Sequence, residues 1–363
     1  MIKGSVDYEG QTLIVKEGAK MSEILAHVKS VIESGADVNA WDTYSRGGNL
    51  LIEAARQNSV EAVKLLLEHG ADVNKQGRGE AWKENNQSTD RKTALIFAAM
   101  NNSLPNVKML LEAGANVNHQ DGDNCTALML AVKFKASIDV VKLLLDYGAD
   151  THITNDWELN ALDYSAMVNH FEATELLIAR GADVNKKDSL NTTALMRAAC
   201  NDSAEVAEIL LKHGADVNAI DGWMKGWTPL FHAAYKNSSR TVRVLLKYGA
   251  DPYITAGTVS GTTSAIKQAV SRLSVEALRV MIECGVDVSI RNIDDGYGRK
   301  YNVLYGAELD YKFMDAYNGQ RVLQSGLSRD EYKRRVLTII DMLKNAGCES
   351  FFDKLRKYLH LPF

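Results

Sequence analysis

The chain has only four cysteines in 363 residues, Cys125, Cys200, Cys284 and Cys348, with no CxxC pair among them. Such spacing argues against a disulfide framework, and with Cys200 and Cys284 in stretches that read as helix it predicts reduced thiols in a cytosolic-type compartment. Charge of one sign is also lacking. A net charge of −4 gives no electrostatic reason to expect nucleic acid or an anionic membrane as the main partner. No apolar run approaches a membrane span, and the opening MIKGSVDYEGQTLIVKEG holds none long enough for a signal peptide. A cytoplasmic location is therefore expected; export would need a route the sequence does not announce. Catalytic signatures are missing too: there is no P-loop, no GxSxG and no HExxH. The eight histidines are scattered, and His119 and His152 have no Cys or His nearby at zinc spacing. The acidic stretch IDDGYGR (293–299) lacks the ligand ladder and terminal Glu of a calcium loop. Neither a metal nor a cofactor is expected.

What the chain has is repetition. The phrase GADVN stands at 35–39, 70–74, 181–185 and 214–218, with variants GANVN (114–118), GADTH (148–152), GADPY (249–253) and GVDVS (285–289). Successive leading glycines are 35, 44, 34, 33, 33, 35 and 36 residues apart. A second phrase runs in step with the first: TALIFAA from Thr93, TALMLAV from Thr126, TALMRAA from Thr193 and TPLFHAA from Thr228. The positions that open these segments are Asn49, Thr93, Thr126, Asn160, Thr193, Thr228, Ser264 and Asn302. All carry a side-chain oxygen able to cap free backbone N–H groups, which predicts that an inner helix starts at each. In VEAVKLLLEHG (60–70), Val60, Val63, Leu66 and Leu67 form one apolar stripe of an outer helix, and the following glycine suits a left-handed helix end. His69 and His213 recur just before that glycine, as helix C-cap chemistry would have it. Each unit thus reads turn, helix, short loop, helix. No unit could bury its stripe alone, so neighbours must stack.

A period near 33 with two helices per unit is the mark of one repeat class, and on these two phase-locked phrases the chain resembles the ankyrin repeat family over roughly residues 20–347. Most units read TAL followed by Met or Ile where the family reads TPLH, and only Pro229 keeps the proline. The resemblance implies an all-α ankyrin-repeat solenoid of about eight to nine helix–turn–helix units with projecting β-hairpin or turn fingers. An N-terminal hairpin cap is expected over 1–20, repeats over 21–296, and an elaborated final repeat with a C-terminal cap over 297–363. In that last part YNVLYGAE (301–308) reads as an inner helix, 328–347 as an enlarged outer one, and 311–327 as an elaboration. The polar stretch 75–92 lengthens one finger, and DGWMKGW makes another two residues longer than its neighbours.

The resemblance further implies protein binding through a concave surface made by inner helices and fingers. All five tryptophans, Trp41, Trp82, Trp157, Trp223 and Trp227, lie in turn segments rather than in a helix stripe, so core demand is not expected to explain them. Aromatic side chains of this kind dominate interface hot spots; the competing reading is that they stiffen the fingers. The positions after each inner-helix AA or AV pair face the same surface and include Arg56, Met100, Lys133, Phe134, Met167, Cys200, Tyr235, Lys236 and Arg272. With Tyr44, Trp82, Lys92, Trp157, Trp223 and Trp227, these residues (Cys200 apart) are the expected partner-binding set. Their mixed aromatic, Met and basic character fits a protein partner with apolar anchors and acidic groups, bound by a monomer or weak dimer. Two other readings compete. Nucleic acid would need a steep basic stripe that the overall charge does not favour, and an enzyme would have to use 297–330, which is too short to build a pocket. The TALM…GADVN units resemble those of bacterial and viral ankyrin proteins, implying an immunity or antitoxin protein, an effector, or an inhibitor of a defence system.

Overall fold

The computed structural model describes residues 19–40, 49–77, 91–222, 226–258, 261–288, 293–294, 300–301 and 327–347. The hairpin expected near residue 9, the inner helix at 301–308 with its opener Asn302, most of 311–327 and the tail after 347 lie outside these residues. Within them the chain forms two compact units, one from residues 1–131 with 139–149, the other from 132–138 with 150–363.

In the first unit, α1 (Ala19–Glu33) stands without an inner partner helix and packs on the pair α2 (Leu50–Arg56) and α3 (Val60–Glu68). That pair packs in turn on α4 (Ala94–Met100) and α5 (Leu104–Glu112). Helices α6 (Ala127–Lys133) and α7 (Ile138–Asp146) straddle the division. The second unit repeats the arrangement through α8 (Ala161–Val168), α9 (Phe171–Ala179), α10 (Ala194–Cys200), α11 (Ala204–Lys212), α12 (Pro229–Lys236) and α13 (Ser239–Lys247). A hairpin of β1 (Thr255–Thr258) and β2 (Gly261–Ser264) leads into α14 (Ala265–Ser271) and α15 (Val275–Glu283). The short pair β3 (Ile293–Asp294) and β4 (Lys300–Tyr301) and the long α16 (Arg329–Asn345) follow. Inner helices α8, α10, α12 and α14 form one row of this unit; outer helices α9, α11, α13, α15 and α16 form the other.

Local chemistry sets the boundaries. Asn49, Thr126, Asn160, Thr193, Thr228 and Ser264 each accept a hydrogen bond from the backbone N–H three residues on, which satisfies one free donor of the first turn. Asn160 adds the reciprocal bond, its own N–H donating to Asp163. Thr93 carries the right side chain but makes no such bond. Outer helices end on the glycine of the repeated phrase, with φ between +69° and +88° from Gly35 to Gly285, a region closed to most residues with a Cβ. His69 and His213 are helix C-caps, and His69 Nδ1 lies 2.8 Å from Leu65 O. Within α3 the buried stripe is Ala62, Val63 and Leu66. Val60, expected in it, is exposed, as are Leu104, Ile138 and Phe171 at the same first position of their helices, where the helix has only begun to turn its face inward.

A ladder joins successive turns of the repeated phrase. In the first unit, Asn39 Nδ2 donates to Gly70 O (3.0 Å) while Asn39 Oδ1 accepts from Asp72 N (2.6 Å). Asn74 does the same to Gly114 O and Asn116 N, and Asn118 Nδ2 reaches Gly148 O. In the second unit Asn185 bridges Gly214 O and Asp216 N, Asn218 accepts from Asp251 N, and the Tyr253 hydroxyl accepts from Asp287 N. His152 occupies the asparagine position of its turn, and among the described residues it bonds only to Asp150 and Thr151.

Candidate partner-binding face

Four of the described fingers are each tied down by one acidic or amide side chain. Asn155 accepts from Trp157 N and Leu159 N, Asp188 from Leu190 N and Thr192 N, and Asp221 from Trp227 N. The remaining polar atom of that side chain passes to the inner helix that follows. Asn155 Nδ2 donates to the Tyr164 hydroxyl (2.9 Å), Asp188 Oδ2 accepts from Arg197 (2.5 Å), and Asp221 Oδ2 accepts from His232 Nε2 (3.0 Å). The sequence separations are 9, 9 and 11, so the third finger is longer by the two residues its sequence shows. In the first unit Asp121 anchors the N–H groups of Asp123 and Cys125 and is bridged by Lys92 at 3.3 Å. Arg197 also reaches back to buried Asp163 (3.1 Å), which Lys186 Nζ approaches at 3.5 Å, so a buried polar network registers α8, α10 and their fingers. A carboxylate at this depth is held by the charged and N–H donors around it, here Arg197, Lys186 and Asn160 N.

Among the described residues, His232 is strongly changed by its surroundings. Burial works against its proton, but the hydrogen bonds to Asp221 and Cys200 and the negative charge at both outweigh that, pushing its pKa up to about 9. Cys200 Sγ, half-buried at the end of α10, lies 3.4 Å from His232 Nδ1. This Cys–His–Asp convergence was not read from the sequence. The usable signal was periodicity: Arg197, the repeat equivalent of His232, lies three residues before Cys200 on the same helix, so Cys200 and His232 are 32 residues apart, one 35-residue repeat less an i,i+3 step along one helix face.

Of the expected binding residues, Tyr44, Trp82 and Trp223 lie outside the described residues, as does Trp41. In the first unit Arg56 ends α2 and its guanidinium turns back on buried Glu53. Lys92 serves the Asp121 finger, and Met100 ends α4 half-buried. The second unit groups its residues more closely. Lys133 Nζ sits 5.7 Å from the centroid of the Phe134 ring and 5.4 Å from that of Tyr164, with Phe134 itself 48% exposed. Trp157 is 61% exposed at its finger tip, and Met167 is half-buried in the last turn of α8. Arg272 stacks on Tyr235 at 4.1 Å, and Lys236 lies at 5.8 Å from the same ring, distances at which a cation is attracted to the ring face.

Trp227 does not share that exposure. It is 7% exposed, stacks on Phe231 with centroids 5.6 Å apart, and meets His232 and Tyr235. Core demand therefore does explain this tryptophan, against expectation. It immediately precedes the helix-opening Thr228, and Cys125 and Leu159 in the same register position are buried as well; the residue before the cap is an inward position.

Comparison with known proteins agrees with the architecture. Models described as ankyrin repeats (3 copies) match residues 78–155 and 128–221, one described as ankyrin repeats (many copies) matches 202–246, and a single ankyrin repeat model matches 46–78. Together they run through more than half of the chain, which belongs to the ankyrin repeat family. FPV031 of fowlpox virus (strain NVSL), described as an ankyrin repeat protein, is 32% identical over 149 residues, 40% of this chain and 41% of its own length. Alpha-latrotoxin-Lg1a of Latrodectus geometricus is 32% identical over 132 residues, 36% of this chain and 9% of its own. The chain thus spans well under half the length of either relative. Among solved structures, the human ASB11 ankyrin repeat domain superposes with a TM-score of 0.54 at 24% identity, covering 64% of this chain and 96% of that one. Ankyrin repeats are in general protein-interaction scaffolds, and no described helix is long and apolar enough to cross a membrane.

Proposed function

We propose that this chain is a non-enzymatic, cytoplasmic scaffold that binds a partner protein through its inner-helix ends and finger tips. The observation that carries this reading is the pair of exposed aromatics Phe134 and Trp157 in the second unit, more uncovered than core packing would leave them, with Lys133 and Arg272 each set against aromatic rings. Large rings that give up little side-chain entropy make anchors, and adjacent cations select acidic groups. The partner that fits is a protein surface with apolar side chains and carboxylates. An immunity or antitoxin role, an effector role and inhibition of a defence system all use such a face.

The test compares wild type with a Phe134→Ala/Trp157→Ala double variant of unchanged thermal unfolding, as baits in a lysate of the source cell. A protein retained by wild type and lost by the variant, whose purified form then loses at least tenfold in affinity for the variant, supports the reading. Identical retention by both baits overturns this face as the binding site, and capture of nucleic acid in place of protein overturns the partner class.

A further inference from the structure

The contact between Cys200 and His232 goes beyond what finger anchoring requires. Tyr164, Arg197 and His232 hold the same place in successive inner helices, and each ties down its own finger through one polar group. For His232 that group is Nε2. Its other nitrogen, Nδ1, faces the sulfur of the preceding inner helix at 3.4 Å. The result is an ordered line: a thiol, an imidazole, and a carboxylate that is 1% exposed and fixed by Trp227 N at 3.1 Å. The Trp227 ring meets the imidazole edge-on at 5.4 Å, so the imidazole is held on two sides. This is the geometry by which a base takes a thiol proton and a third group fixes the base. The other charged or titratable groups on these elements are engaged elsewhere: Arg197 on Asp163 and Asp188, Tyr235 under Arg272, and Lys236 over that same Tyr235 ring.

We propose that Cys200 is a nucleophilic thiol activated by His232 and Asp221, and that it is a covalent modification site for small soft electrophiles, with hydrogen peroxide as the oxidant. In the reactive form the thiol proton already rests on His232 Nδ1, giving a thiolate–imidazolium pair, while Nε2–H stays on Asp221. The sulfur lone pair then attacks one peroxide oxygen; the S–O bond forms, the O–O bond breaks, and the departing hydroxide takes the imidazolium proton to leave as water. Sulfur is oxidised by two electrons to the sulfenic acid and peroxide is reduced. Partial burial of Cys200 limits the site to small reagents.

The test uses the full chain under native conditions, with iodoacetamide as probe and peptide-resolved mass spectrometry as readout. Exposed Cys284 is the reference in the same molecule. An unassisted thiol slows roughly 75-fold between pH 8 and pH 6 as its thiolate fraction falls. Cys200 is expected to slow by about fivefold or less, and His232→Gln and Asp221→Asn to restore the steep dependence at Cys200 alone. Addition of hydrogen peroxide with dimedone should label Cys200 in wild type and at least tenfold less in either variant. The wild-type pH comparison stands even if a variant is destabilised. Equal pH dependence of Cys200 and Cys284 in wild type, or dimedone labelling of Cys284 without Cys200, overturns the proposal.

Discussion

At the residue scale, His232 carries a pH signature. With a folded pKa of about 9 against an ordinary 6.5, its protonated form is favoured by folding. The stability it contributes is fully present below pH 6.5 and is lost as pH rises towards 9. The informative quantity is the difference between wild type and His232→Gln. That difference, read as amide hydrogen-exchange protection of α10 and α12, should shrink between pH 6 and pH 9 by an amount on the order of 3 kcal/mol. A constant difference would show that the charge is not held in the folded array. Backbone conformation makes a second prediction at this scale. Lys135 has φ +54° in a loop where other repeats place Asn58, Asn102, Asn169 and Asn237 at φ between +54° and +59°. Asparagine tolerates that region better than other residues with a Cβ, so Lys135→Asn should stabilise by about 0.5 to 1 kcal/mol in urea denaturation.

At the element scale, the fingers separate two tryptophans that looked alike in sequence. Trp227→Ala should cost about 3 to 5 kcal/mol because it empties a buried site packed on Phe231, whereas Trp157→Ala should stay within about 0.5 kcal/mol of wild type. Thermal unfolding of the two variants checks both. The helices themselves were legible beforehand because phrase, cap and period agreed: six of the named openers cap as their side chains allow, and the long helix expected at 328–347 is α16. Legibility failed where exposure depends on neighbours brought in by stacking. Val60 fits an apolar stripe by spacing yet sits on the outside, and Trp227 sits in a turn yet faces inward. The Cys200–His232–Asp221 line was hidden for a related reason: its members come from one helix, the next finger and the next helix, and no local motif contains all three.

For the whole molecule, cohesion rests on terms that recur from unit to unit. Exposed ion pairs such as Arg243–Glu283 and Lys247–Glu208 join neighbouring outer helices, but pairs in water contribute little. The asparagine ladder is better placed, since it satisfies backbone groups that would otherwise lack a protein partner. His152→Asn should therefore add the step to Gly181 O and Asp183 N and stabilise the second unit by about 0.5 to 1.5 kcal/mol, measured as a rise in its unfolding midpoint. The ladder also bears on how such a chain changes over generations. The asparagines grip the carbonyl, the amide N–H or both of the next turn, atoms that every residue but proline possesses, and ask nothing of the side chains there. A genetic duplication or deletion of one whole period leaves the grip intact, while the finger beyond it is free to drift, so the array can lengthen or acquire a new recognition tip without losing the seam that joins its turns.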